Sequence, residues 1–331
     1  MKAKIRPINL ALQGGGAHGA FTWGVLDALL EDGRFKFDGI SATSSGAMNA
    51  VVLAHGLRER GAEGARSALA DFWHAVADNM PYPIKGNGAG QSSSFSMFRI
   101  WTDYFSPEQL NPLSLDPLRE IITRQIDFES LRRHAPVKLF LAATNVNSGK
   151  LRLFREHELS PDALMASACL PTIQRAVEID GESYWDGGFA ANPAVFPLLF
   201  DCSARDIVLV LLSPLTFEKT PESMEEIKNR IQELAFNATF LREMRLFTRL
   251  LDHGRHSLFP LVSFERRLQH TYFHAIEMGS LISVANPIFT TNATYFEMLR
   301  DSGRLLSRYW MSTNCDDIGR HSTINISKLF C

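Results

Sequence analysis

INLALQGGGAHG at residues 8–19 and GISATSSG at residues 39–46 are built alike: an apolar run of strand length enters a turn of small residues and then a helix. In the first, Ile8–Leu12 is the strand; Phe21, Val25, Leu26 and Leu29 then recur on one helical face until Asp32-Gly33 stops the helix. In the second, Gly39–Thr43 is the strand, and a helix from Ser45 runs through Met48, Val51, Val52 and Leu53 toward Gly56. Strand, crossover helix, strand is the unit of a parallel sheet. Further strands are expected at Val137–Ala143, Lys150–Phe154, Ala176–Ile179 and Ile207–Leu212. The sequence therefore predicts an α/β fold with helices on both faces of the sheet.

Between Asn79 and Gln109 the pattern gives way to Gly, Ser and Pro and then to Phe95, Phe98, Trp101, Tyr104 and Phe105. A loop that long in a compact domain is either a lid over an apolar site or an insertion packed on the core. From Pro221 helical periodicity dominates. The expected division is a main α/β domain over residues 1–215, with 79–109 as lid or insertion, and a helical C-terminal extension or cap over 216–331 packed on the same domain.

At 331 residues the chain can bury a large core, and its 45% hydrophobic and 21% charged residues are those of an ordinary globule. A formal net charge of −2 provides no basic field for a polyanion, so nucleic acid is not an expected partner. The basic start at Lys2, Lys4 and Arg6 is followed by an apolar run that breaks at Gly14, too short for a secretory signal. No apolar stretch reaches the roughly 18 residues of a membrane span. The four cysteines, Cys169, Cys202, Cys315 and Cys331, show no CxxC spacing and suit a reducing compartment, so a cytoplasmic location is expected. No cluster has metal-ligand spacing, and neither metal nor cofactor is expected.

The turn Gly14-Gly15-Gly16-Ala17-His18-Gly19 aims backbone N–H groups from a helix N-terminus, which makes it an anion cradle. The anion could be a dinucleotide pyrophosphate, since Gly14, Gly16 and Gly19 fit G-x-G-x-x-G, or the oxyanion of acyl transfer. A dinucleotide site needs an acidic residue at the end of the second strand, and Asp38 falls before that strand. What ends the strand is Ala42-Thr43-Ser44-Ser45-Gly46, the strand–turn–helix context of a nucleophile elbow, for which the bland alternative is a Ser N-cap. Downstream, Tyr184-Trp185-Asp186-Gly187-Gly188 places a carboxylate after a short strand, although Asp-Gly alone would read as a hairpin turn.

In the order glycines, serine, aspartate, the chain resembles the patatin-like phospholipase family. The resemblance rests on Gly14–Gly19 with Gly24-Val25-Leu26, on Ala42–Asn49, on ASACLP at 166–171 and on DGGFAANP at 186–193. It implies a three-layer α/β/α sandwich with a mostly parallel central sheet, and a lipid acyl hydrolase working through a Ser–Asp dyad. Ser44 would be the acylated nucleophile, Asp186 its base, and the N–H groups of Gly14, Gly15 and Gly16 the oxyanion hole. The substrate would be a phospholipid, lysophospholipid or other acyl ester. Two residues depart from the family pattern: Ala42 replaces the elbow glycine, and His18 stands where many relatives carry Arg or Lys. A free Asp, with a pKa near ~3.9, is a feeble base unless its site is desolvated.

Histidines carry the rival arrangement, a Ser–Asp–His esterase of the α/β-hydrolase type, for which His253, His256, His270 and His274 follow the acid in the chain. As a simpler reading, each is an exposed surface residue. A non-catalytic lipid-binding protein on the same fold is the other alternative. In the tail, Phe236, Phe240, Met244, Phe247 and Leu251 share one helical face opposite Arg242, Arg245 and Arg249. Such a helix either packs its apolar stripe on the core or lies on an anionic bilayer, making peripheral membrane contact.

Overall fold

The computed structural model describes residues 5–79, 116–216, 220–256, 263–279 and 292–331; apart from Asn79, the lid or insertion expected at 79–109 lies outside them. Strand β1 (Arg6–Leu12) passes through the glycine turn into helix α1 (Gly19–Asp32), and β2 (Phe35–Thr43) passes through Ser44 into α2 (Ser45–Asn79). Helix α1 ends where Gly33, at φ 71°, turns its N–H back to the Leu29 carbonyl, a left-handed cap that glycine adopts without strain. Helix α2 overruns its expected end near Gly56 and breaks instead at Arg60–Gly61, where Gly61 takes φ 65°.

There follow α3 (Pro117–Gln125), α4 (Phe128–His134), β3 (Lys138–Asn145), β4 (Leu151–Arg155), α5 (Pro161–Ser167), β5 (Val177–Ile179) and β6 (Glu182–Asp186). The chain continues with α6 (Phe196–Asp201), β7 (Asp206–Leu211), α7 (Met224–His256), α8 (Ser263–Gln269), β8 (Tyr272–Glu277), α9 (Ala293–Asn314) and α10 (Ile326–Phe330). The strands make one sheet in the order β5-β6-β3-β2-β1-β7-β8, with β4 also on β3. The run β3-β2-β1-β7-β8 is parallel, while β4, β5 and β6 pair antiparallel. Each strand read from the sequence is present. The tail is mainly helical as read, and it adds β8, whose YFHAIE alternates too imperfectly to announce a strand.

Alternation along the strands separates two cores. Ile8, Leu10 and Leu12 of β1 and Val208 and Val210 of β7 join the apolar faces of α1, α2 and α9. Ala11 of β1 and Ile207, Leu209 and Leu211 of β7 point the other way, to α6, α7 and α8. The result is a three-layer α/β/α sandwich. Helix α9 packs along α1 at backbone contact distance, because a Cβ on Gly24 would collide with the Arg300 carbonyl and one on Gly303 with the Phe21 carbonyl.

The apolar stripe of α7 lies on the core: Phe240, Met244 and Phe247 are buried, while Arg242, Arg245 and Arg249 are exposed. Among the described residues no helix is long and apolar enough to cross a membrane.

Candidate active site

The register of β3 brings the two halves of the site together. Ala142 pairs with Thr43 of β2, and the next residue, Ala143, pairs with Asp186 of β6. Because β4 occupies the other edge of β3 at these positions, β6 takes up the same edge where β2 leaves off. Ser44, one residue past Thr43, and Asp186, the last residue of β6, thus occupy neighbouring places although 142 positions separate them in sequence.

Ser44 holds φ 55°, a left-handed conformation costly for a residue with a Cβ, and it is maintained by its surroundings. Its N–H donates to Ser167 Oγ at 3.0 Å. Two residues on, a Cβ at Gly46 would stand 2.5 Å from the Leu12 carbonyl, so the end of β1 and the start of α2 can touch only through glycine. Ala42, the residue in place of the elbow glycine, is fully buried without distortion of the strand pairing.

Asp186 is fully buried. Its Oδ1 accepts the Gly188 N–H at 2.7 Å, while Oδ2 has no hydrogen-bond partner. Burial pushes its carboxyl up to about 7; the Gly188 N–H and the nearby Ser44 hydroxyl pull it part of the way back. The Asp-Gly-Gly sequence makes a tight helical turn here rather than a hairpin. A Cβ at Gly187 would collide with the Ala142 carbonyl, and one at Gly188 with the Phe236 ring.

The glycine turn lies beside both. Gly14 donates its N–H to Asn192 Oδ1 at 2.7 Å, and Gly15 donates to Ser45 Oγ at 3.1 Å. Among the described residues none accepts from the Gly16 N–H. Asn192 also donates to the Gly14 carbonyl at 3.4 Å, so one buried amide ties the loop after Asp186 to the turn. Asn192→Ala is expected to cost about 1–3 kcal/mol by leaving the Gly14 N–H buried and unpaired, measured as a lower urea midpoint. An unchanged midpoint would mean that the N–H finds another acceptor.

Several groups that support this geometry carry no sequence signal. From α7, Asn237 Oδ1 accepts from Gln13 Nε2 at 2.7 Å, and Gln13 Oε1 in turn accepts from Leu212 N–H at 2.6 Å. Glu243 accepts the N–H groups of Val195 and Phe196 at the start of α6, and burial pushes its carboxyl up to about 7. Asn237 lies 224 positions beyond Gln13 and Glu243 48 beyond Val195, on a helix whose periodicity announces only packing. Ser167 and Asn192, by contrast, fall inside the quoted motifs, and their side-chain partners are what the motif alone does not reveal.

The histidines are elsewhere. His274, read as a surface residue, is fully buried: its Nε2 lies 3.1 Å from Asp206 Oδ1 and its Nδ1 3.0 Å from Thr323 Oγ1. That pair sits near the starts of β7 and β8, whereas Ser44 follows the end of a parallel strand in the same sheet. A polar residue next to a strand start reads as exposed, and only the C-terminal segment folding over it buries it. His253 and His270 are exposed. Asp38, the residue weighed for a ribose, accepts the Ala204 N–H at 2.8 Å and braces the turn before β7. His18 is buried edge-on to Tyr295, with ring centroids 6.5 Å apart. Among the described residues no group of His, Cys, Asp and Glu could hold a metal ion.

A strained serine after a parallel strand, a buried carboxylate beside it and a glycine turn at a helix start all fall within residues 10–199, the span matched by the family model for patatin-like phospholipases. The chain belongs to the patatin-like phospholipase family. Among solved structures, this patatin-like chain is similar to VipD from Legionella pneumophila, at 14% identity and a TM-score of 0.44 over 97% of this chain and 72% of VipD. It is also similar to the type III effector ExoU, at 15% identity and a TM-score of 0.36, covering 94% of this chain and 54% of that one. The chain therefore spans about half the length of that ExoU structure. No curated protein matches it in sequence.

Proposed function

We propose that this chain is a lipid acyl hydrolase of phospholipase A or lysophospholipase type, with Ser44 as nucleophile and Asp186 as its base. The observation that carries the reading is the strained Ser44 beside a buried carboxylate with one unpartnered oxygen. Ser44 Oγ attacks the ester carbonyl carbon and its proton passes to Asp186; the tetrahedral intermediate collapses, and the leaving alkoxide takes that proton back. Water then attacks the acyl-enzyme by the same route and releases the fatty acid. A carboxyl near 7 is a far better base at neutral pH than one near the ordinary aspartate value of 3.8.

For the oxyanion, the turn Gly14–Gly16 supplies donors unequally. Gly16 N–H is open, and Gly15 N–H becomes available where the carbonyl oxygen displaces Ser45 Oγ; Gly14, held by Asn192, fixes the turn. The four free thiols fit a reducing, cytoplasmic setting.

Incubation with a fluorophosphonate, followed by peptide mass mapping, should place the label on Ser44 and leave Ser44→Ala unlabelled. Mixed-phospholipid vesicles should release fatty acid with the wild type. A folded wild type that takes no label and releases no acyl chain from vesicles or p-nitrophenyl esters would overturn the reading.

A further inference from the structure

Helix α7 spans 33 residues, about 50 Å at the usual rise, and has a second amphipathic face besides the one it packs on the core. At about 100° per residue, Met224, Ile231, Arg242, Arg245, Leu246 and Arg249 fall within one outward arc of about 100°, with Leu234 at its edge. The apolar members are open to solvent: Met224 is 69% exposed, Ile231 61%, Leu234 48% and Leu246 56%. No acidic residue lies inside this arc, and Asp252, at its edge in the last turns, is engaged with another group.

The three arginines differ from those that the fold uses in ion pairs. Arg6, Arg34, Arg66, Arg119, Arg155 and Arg304 all hold carboxylates. Among the described residues Arg242, Arg245 and Arg249 hold none, and the one hydrogen bond they make is from Arg245 Nε to the Phe330 carbonyl at 3.0 Å. A long helix face of large apolar side chains and arginines that hold no carboxylate matches the headgroup region of an anionic bilayer. The same face of a second copy, packed isologously, would meet it with cations and apolar groups but no carboxylates, and a nucleic acid would leave the Met, Ile and Leu side chains without a partner.

We propose that this outward face of α7 is the surface by which the protein docks on anionic membranes. The assignment rests on the hydrolase reading above, and it gives that reading a substrate in a bilayer. The helix is well placed for the purpose, because on its inner side Phe236 presses on Gly188 and meets the Phe189 ring at a tilt of 57°, with centroids 4.7 Å apart, two and three residues from Asp186. A membrane bound along α7 is therefore bound to the body that carries the site.

Co-sedimentation with phosphatidylcholine vesicles, with and without phosphatidylserine, tests the proposal. Wild type and Ser44→Ala should both bind the anionic vesicles, and salt should release them. Arg242→Ala/Arg245→Ala/Arg249→Ala should bind about 100-fold more weakly, given the usual worth of an arginine near an anionic leaflet. Ile231→Ser/Leu246→Ser, which leaves the charge intact, should also bind more weakly. Both variants should keep wild-type thermal midpoints and wild-type turnover of a short, soluble p-nitrophenyl ester. Unchanged vesicle binding in both variants, or wild type that ignores anionic vesicles, overturns the docking surface, as does a change of oligomeric state in place of a change in binding. If wild type docks but hydrolyses nothing, the docking face stands and the hydrolase reading falls.

Discussion

Asp186→Asn is expected to lower ester hydrolysis by about 10³–10⁴-fold and, above pH 7, to make the folded protein more stable. Both effects come from one cause. Burial raises the carboxyl from 3.8 to about 7, so it keeps its proton in the folded chain where the unfolded chain has lost it. Folding is therefore unpenalised in acid, loses stability as pH rises from about 4 toward 7, and stays weakened above that by about 2–4 kcal/mol. Asparagine is never charged and can still accept the Gly188 N–H, so the variant escapes the penalty along with the chemistry. Urea unfolding of both proteins at pH 4.5 and pH 8 reads this directly, with the gain expected only at the higher pH. For wild type, kcat/KM should climb through a limb near pH 7 as the base ionises. A variant no more stable at pH 8 than at pH 4.5, relative to wild type, would show that the carboxylate is solvated after all.

The second large effect is steric. Gly24→Ala is expected to destabilise the protein by about 3 kcal/mol or more, because the added methyl meets the Arg300 carbonyl of α9 with no flexible side chain to yield. Gly303→Ala should do the same from the other side of the crossing. The control is Gly61→Ala, at φ 65° and ψ −149° with open space around it, where only a backbone conformation reserved for glycine resists and the cost is about 1–3 kcal/mol. Equal losses at Gly24 and Gly61 would mean that α1 and α9 separate easily.

The strand–turn–helix pairs at residues 8–50 were legible because each strand is mostly apolar or small, with only Asn9, Ser41 and Thr43 as buried polar side chains, and each turn is made of residues of small volume. The motif glycines announced themselves for the same reason: at Gly46 and Gly187 the structure has backbone where a Cβ would be. The glycine turn was legible as a cradle but not in its internal hydrogen bonds, since nothing in a glycine's identity says whether its N–H faces Asn192, Ser45 or open space. Nor could periodicity show which of the tail's residues reach the site. Phe236, Asn237 and Glu243 look like any positions of an amphipathic helix, and their tasks are set by the loop that happens to fold beneath them. His274 misleads for a related reason, because its burial depends on a segment that includes Thr323, 49 positions later in the chain.

The crossing of α1 and α9 has a consequence for the order in which the molecule can assemble. Gly24 and Gly303 are about 280 positions apart, and at the usual ribosomal pace of about 5–20 residues per second, tens of seconds separate the synthesis of the two helices. Throughout that interval Phe21, Val25 and Leu29, buried in the finished protein, lack the far wall of their core. The helix that begins at the glycine turn is thus made long before the helix that encloses it, and a nascent chain stays sticky there until Ala293–Asn314 arrives.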